Sequence, residues 1–258
     1  MTIFTRAIVR PPAPNFAEGL TTAGLGAPDY RRAMDQHSAY CTALEQCGLG
    51  LITLSPDPEY PDSTFVEDTA VLTERCAVLT RPGASSRAGE VAAIKNQLAN
   101  FYTALTSIQA PGTLDGGDVC ELDEHFFIGI SERTNEAGAH QLAQKLASFN
   151  YTSSLVDIRD VSGILHLKSG LAYLGDGRLA VIDSLAERSE FADYDLLRLN
   201  AGEEYAANCV RVNDRVLVAA GYPVWEEKLK TLGYQTIALE MSEFQKMDGG
   251  LSCLSLRL

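Results

Sequence analysis

Basic residues are scarce in this chain. Lys and Arg number 21 against 34 Asp and Glu, a net charge of −13. No long Lys/Arg cluster interrupts that balance, which argues against nucleic acid or an anionic membrane surface as partner. The same charge favours a small cationic substrate. Long apolar runs are also missing: nothing approaches the roughly 20 residues a bilayer-spanning helix needs. The opening stretch MTIFTRAIVRPPAPNF has no apolar h-region and no small-residue cleavage site. A cytoplasmic protein with no membrane contact is the expectation. The six cysteines, Cys41, Cys47, Cys76, Cys120, Cys209 and Cys253, form no CxxC pair and no disulfide-framework spacing. Most are expected as reduced, buried small hydrophobes. No His/Cys/Asp cluster has zinc-site spacing, and there is neither a P-loop nor GxGxxG. No metal and no cofactor are expected.

What the chain does contain is a repeat. At 258 residues and 46% hydrophobic content it can bury one substantial core, and a single domain over 1–258 is expected. Four segments share a rhythm of short strand, polar turn, second apolar strand and Gly- or Pro-marked loop. They are DTAVLTERCAVLTRPG from Asp68, DVCELDEHFFIGISERT from Asp118, SGLAYLGDGRLAVIDS from Ser169 and NCVRVNDRVLVAAGYP from Asn208. The turns fit tight hairpins. AGEVAAIKNQLANFY, NEAGAHQLAQKLASF and PVWEEKLKTLG follow three of them with helical apolar spacing, at Val91, Ile94, Leu98 and Phe101 in the first. The third repeat has only SEFADYD there. Each is followed by another short apolar run. The ends supply FTRAIVRPP and SCLSLRL, single strands without a local partner, so a fifth unit is split between the termini. The expectation is an α/β fold, a ring of five ββαβ-like units whose closure removes exposed sheet edges. A conventional α/β sandwich is the rival.

Equivalent positions in a closed ring face one axis. The presumed first-strand starts are Asp68, Asp118, Ser169, Asn208 and Cys253, all polar or nucleophilic where a buried strand would begin apolar. Asp115 and His166 stand three residues earlier in two units. A thiol, an imidazole and carboxylates thus converge, as nucleophilic catalysis requires. Each has a bland alternative. A lone strand Cys is usually packing, but Cys253 follows the Gly-rich DGGLS, which permits close approach of a ligand. Cys120 is expected to point with Asp118 and stays open between the two readings. His166 alternates with leucines, so a core histidine is as consistent as a catalytic one; His37, His125 and His140 read as structural. Alternation sends Glu67 and Asp68 to opposite faces, and an inward charge would be relieved by a cationic ligand. Arg87 and Arg133 occupy comparable loops and could clamp a carboxylate.

PDSTFVEDTAV, LTRPGASSR, TLDGGDV, FFIGISERTN, LHLKSGLAYL, AANC and MDGGLSCLS together resemble the dimethylarginine dimethylaminohydrolases, within the pentein or guanidino-group-modifying superfamily. The resemblance covers essentially the whole chain. It implies a five-bladed α/β propeller forming one pentein catalytic domain. It implies Cys253 as nucleophile, His166 as general acid/base and Asp115 as the residue that orients it, where some members carry Glu. Asp68 with Glu67 beside it would grip the guanidinium, Asp62 the α-amino group, and Arg87 and Arg133 the α-carboxylate. Leu20 in the lid and Met247, where members usually carry Ile or Val, would contribute backbone carbonyls. The implied reaction converts an Nω-methylated arginine to citrulline and a methylamine through a covalent thiouronium. Arginine deiminase and amidinotransferase activities belong to the same superfamily and stay open. The expected partner is a small cationic amino acid, with self-association into a homodimer the one protein contact left open. Zinc is expected only as an inhibitor that captures Cys253 and His166.

Overall fold

Tight hairpins organise the chain into small sheets. The computed structural model describes residues 3–258. Its strands are β1 (Arg6–Val9), β2 (Gly50–Thr53), β3 (Ala70–Leu72), β4 (Ala77–Leu79), β5 (Leu105–Ser107), β6 (Val119–Leu122), β7 (His125–Ile130), β8 (Thr152–Asp157), β9 (Leu171–Gly175), β10 (Arg178–Val181), β11 (Asp195–Arg198), β12 (Val210–Val212), β13 (Arg215–Ala219), β14 (Gln235–Leu239) and β15 (Leu256–Arg257). Asp123, Asp176 and Asn213 turn three of the hairpins with φ of 55°, 53° and 55°, a left-handed conformation that Asp and Asn tolerate.

Among the described residues the strands form five three-stranded sheets. In each, two strands run antiparallel, as a hairpin in four of the sheets, and the third strand returns parallel to the middle one. A parallel return needs a crossover. Helices supply it: α1 (Tyr30–Gln46), α2 (Val91–Leu98), α3 (Glu136–Ala147) and, after the single-turn α4 (Leu167–Gly170), α5 (Pro223–Thr231). A second single turn, α6 (Ser242–Gln245), precedes the C-terminal loop. The fourth sheet crosses over through only a 3-10 turn, Ser189–Phe191. Phe191 anchors that short crossover, its ring 4.9 Å from Phe127.

The split fifth unit is as expected. β15 pairs antiparallel with β1, Ala7 opposite Arg257 and Ile8 opposite Leu256, and β1 pairs parallel with β2. The fold is the five-unit α/β propeller. Ile94 and Leu98 of α2, Leu142 and Leu146 of α3, and Trp225 and Leu229 of α5 are buried against the sheets. Phe101 departs from its expected place on the α2 stripe. The helix ends at Leu98, and the Phe101 ring is partly exposed beneath the Arg6 guanidinium, 5.2 Å away. No helix among the described residues is long and apolar enough to cross a membrane.

One expectation is corrected. Asp68, Asp118, Ser169 and Cys253 do not begin strands; they lie in single helical turns, 66–69, 116–118, 167–170 and 252–254, just ahead of β3, β6, β9 and β15. Asn208 follows a similar turn before β12. Within such a turn successive side chains are about 120° apart rather than 180°. Each unit can thereby present neighbouring residues to different sides of the axis.

Closure through the two ends should carry measurable stability. Leu256, 4% exposed, packs with Ile8 and Val66. Leu256→Ala should cost about 2–5 kcal/mol in urea unfolding, whereas Leu25→Ala, at a position 54% exposed, should stay within about 0.5 kcal/mol. Equal costs for the two would mean that the terminal strand does not close the ring.

Candidate active site

The turns converge on a narrow pocket. Leu20, Asp62, Asp68, Arg87, Arg133, His166, Met247 and Cys253 all line it. Asp115 stands behind His166, fully buried, and Glu67 lines a different cavity. Of the expected site residues, only these two lie off the pocket surface.

Asp115 and His166 each immediately precede a helical turn, with extended backbone, and the ring brings them together. His166 Nε2 lies 3.1 Å from Asp115 Oδ2, while Asp115 Oδ1 accepts the Gly83 N–H at 2.8 Å. The glycines of DGGD make room. A methyl on Gly117 would sit 2.7 Å from His166 Nδ1 and 2.9 Å from Asp68 Oδ1. Burial lowers the basicity of His166, but Asp68, Asp118 and Asp115 outweigh it and lift the imidazole to about 9. At neutral pH it is an imidazolium.

Asp118 was not singled out for the site by sequence reasoning. It is fully buried and accepts from Ser131 Oγ, Thr134 Oγ1 and the Leu167 N–H at 2.7, 2.6 and 3.0 Å. Burial raises its carboxyl above the ordinary value. Its signal was its place in the repeat, equivalent to Asp68.

Asp68 is also buried, with Arg87 Nη1 at 2.6 Å from Oδ2 and the Gly117 N–H at 2.9 Å from Oδ1. Burial opposes its ionisation, yet His166 and Arg87 more than offset that and hold it down near 2. Arg87 is more committed than its expected role as a carboxylate clamp suggested. Nε and Nη2 donate to Glu90 at 3.0 and 2.8 Å, and Nη2 also to the Phe65 carbonyl. One Nη1 hydrogen is left over of its five N–H groups. Glu90, the counterion that sequence reasoning missed, is raised to about 7, chiefly by burial. Arg133 has no ion pair among the described residues and is only half-buried.

At the mouth, Asp62 accepts the Leu20 N–H through both oxygens at 3.1 Å, pinning the lid segment. Burial raises the Asp62 carboxyl. A methyl on Gly19 would meet Asp62 Oδ1 at 2.4 Å, which explains a glycine there. Asp248, unforeseen in the sequence, latches the same lid by accepting from the Thr22 N–H at 2.5 Å. The Leu20 and Met247 carbonyls accept no hydrogen bond among the described residues, so both are available to a ligand.

Cys253 is 9% exposed at the pocket wall. Burial, then Glu67 and Asp68, push its thiol up to about 12. Cys120 points elsewhere: it lines the second cavity and is itself raised to about 11, mainly by burial. All six cysteines are free. The side chains of Asp68, Asp115 and His166 place ligand atoms within 4.8 Å of one another, a set invisible in sequence spacing. Its carboxylates already face the Arg87 and His166 cations.

The profile of a eukaryotic N,N-dimethylarginine dimethylhydrolase family matches residues 29–192. A Pseudomonas aeruginosa protein named N(G),N(G)-dimethylarginine dimethylaminohydrolase is 44% identical over 256 residues, 99% of this chain and 100% of its own length. A Streptomyces coelicolor protein of the same name is 37% identical over 98% of this chain and 96% of its own. The solved structure of a cysteine-to-serine variant of the Pseudomonas aeruginosa protein, in complex with citrulline, superimposes with a TM-score of 0.96. It is 43% identical and covers the whole of both chains.

The balance at His166 can be read by NMR. Its imidazole should titrate near pH 9 in the free protein, and Asp115→Asn should bring the midpoint down. Because the folded value lies above the ordinary 6.5, its contribution to stability is complete below about pH 6.5 and is lost as pH rises through about 9. A midpoint at or below 6.5 would mean that burial outweighs the three carboxylates.

Proposed function

The chain belongs to the dimethylarginine dimethylaminohydrolase family, and on that premise we propose that it hydrolyses Nω-methylated arginine to citrulline and a methylamine with Cys253 as nucleophile. The observation that carries this reading is the meeting of Cys253, the Asp115–His166 pair and Asp68 at one narrow pocket.

Protonation states give the order of events. In the free protein the thiol is neutral and the imidazole charged. A guanidinium entering the pocket brings the positive charge that a thiolate there requires, so the thiol gives up its proton to solvent as substrate binds, His166 being already protonated. Asp68 holds the cation by hydrogen bonds to its nitrogens. The thiolate sulfur bonds to the guanidinium carbon, and His166 gives its proton to the departing methylamine nitrogen as the C–N bond breaks. A thiouronium stays on Cys253. Neutral His166 then takes a proton from water and the hydroxide oxygen bonds to the same carbon; as the C–S bond breaks, the remaining hydroxyl proton passes to the departing sulfur, which releases citrulline and restores the neutral thiol and the imidazolium. Covalent catalysis divides one difficult displacement into two easier ones. Asp115 keeps the imidazole oriented throughout.

The remaining groups suit a free amino acid. Arg133, with no internal ion pair among the described residues, is the principal α-carboxylate ligand, helped by the spare Arg87 N–H. Asp62 and the Leu20 carbonyl receive the α-amino group, and the Met247 carbonyl meets the guanidino end. The chemistry needs reduced thiols, which fits a cytoplasmic location. Self-association as a homodimer belongs to the same reading and is measured by sedimentation.

Cys253→Ser should lower turnover at least a hundred-fold with the fold intact, and Asp115→Asn should fall between wild type and His166→Ala. Retained turnover in Cys253→Ser would remove the nucleophile assignment. Steady-state kinetics should give a higher kcat/KM on asymmetric dimethylarginine or monomethylarginine than on arginine. The reverse order would make the protein a deiminase, and amidino transfer to an added amine would make it an amidinotransferase.

A further inference from the structure

Behind Cys253 lies a belt of polar residues that does not open to the pocket. Ser252 Oγ donates to Glu67 Oε2 at 2.7 Å and sits 4.0 Å from Cys253 Sγ. Glu67 Oε1 is 2.6 Å from Lys168 Nζ and 3.6 Å from Arg257 Nη2. Asn208 ties the belt together. Its Nδ2 donates to Ser252 Oγ at 3.1 Å and to the Lys168 carbonyl at 2.9 Å, and its Oδ1 accepts the Ser252 N–H at 2.9 Å. Gly250 permits this, since a methyl there would lie 2.6 Å from the Asn208 amide.

The belt separates two spaces. On one side is the pocket; on the other a cavity of about 180 Å³ runs along the first strands, and Glu67, Lys168, Ser252 and Arg257 face it. Neither Glu67 nor Lys168 lines the pocket. Glu67 is 3% exposed, and an acidic side chain is buried so deeply only when paired.

We propose that the Glu67–Lys168 ion pair, joined to Cys253 through Ser252, is a positioning device that fixes the thiol and governs its ionisation from behind, so that Glu67 acts on the reaction without touching substrate. This rests on the reading of Cys253 as nucleophile. Opposed charges at the floor have opposed effects: the Glu67 anion disfavours a thiolate and the Lys168 cation favours it. Their pairing lets the floor approach neutrality, leaving the incoming substrate cation to decide when the thiol ionises. The other groups facing the thiol are Asp68 from the turn before β3, His166 capping α4, Tyr205 from the turn before β12 and Asp248 from its own loop. Asp62, Arg87 and Arg133 complete the pocket. None of them changes in the variants below.

The test is alkylation of Cys253 by iodoacetamide in full-length, substrate-free protein, read on the Cys253 peptide by mass spectrometry from about pH 7 to about pH 10. Glu67→Gln keeps the shape and an acceptor for Ser252 while removing the charge. A thiol made more acidic by one pH unit has about tenfold more thiolate but a less nucleophilic one, so alkylation should rise about threefold. Lys168→Met should slow it by a similar factor, and Glu67→Gln/Lys168→Met should return to within about twofold of wild type. The acid limb of kcat/KM should move with the alkylation rate, with KM little changed. An alkylation rate unchanged in Glu67→Gln alongside a raised KM would overturn the proposal and make Glu67 a substrate ligand. The readouts separate two failures: citrulline formation by Cys253→Ser would remove the nucleophile reading whatever the alkylation order, and an unresponsive thiol would remove this proposal alone.

Discussion

One buried carboxylate orders the site. Asp68 is taken out of water at the ring axis, and it is tolerable there only because Arg87 and the His166 imidazolium lie against it. Removing one partner of such a pair typically costs about 3–5 kcal/mol, because the other charge is left buried and alone. The arrangement therefore extends outward. Arg87 needs Glu90, His166 needs Asp115, and Asp115 needs the Gly83 N–H. The result is a preorganised field in which an imidazolium is stable and a thiolate is not. That difference suits a reaction whose substrate is itself the missing cation.

The propeller makes the arrangement possible with short elements. Each unit delivers a helical turn to the axis ahead of its first strand, and each turn supplies neighbouring residues at different angles. The turn before β3 sends Asp68 to the pocket and Glu67 to the belt. The turn before β15 places Cys253 on the pocket wall and Ser252 on the belt. The glycines beside them are there for space: a methyl on Gly116 would come within 2.1 Å of the Glu67 carbonyl. Hydrophobic clusters under the outer helices hold the units while the axis stays polar.

Most of this frame was legible in the sequence because repetition amplifies a weak signal. No single hairpin pattern was decisive, but four in order, plus one orphan strand at each end, favoured a closed ring over the rival sandwich. Equivalent positions then predicted that Cys253, His166, Asp115 and Asp68 would meet. What stayed hidden depended on distance across the ring. Glu90 reads as an ordinary helix-start acid until Arg87 is seen donating to it twice. Lys168 reads as a solvated lysine beside His166 until Glu67 is found 2.6 Å away. Strand alternation sent Glu67 and Asp68 apart for a reason that was wrong, since a helical turn and not a strand separates them. Asp248 gave no signal at all, because its partner is the backbone of a lid more than 200 residues earlier.

With Cys253 as nucleophile, turnover passes through a covalent bond to one particular sulfur. Acid quenching during turnover of asymmetric dimethylarginine, followed by peptide mass spectrometry, tests it most directly. The peptide containing Cys253 should transiently gain the mass of an arginine-derived thiouronium, lost again as citrulline accumulates. Citrulline forming at full rate with no adduct on that peptide, or with the adduct on Cys120, would contradict it.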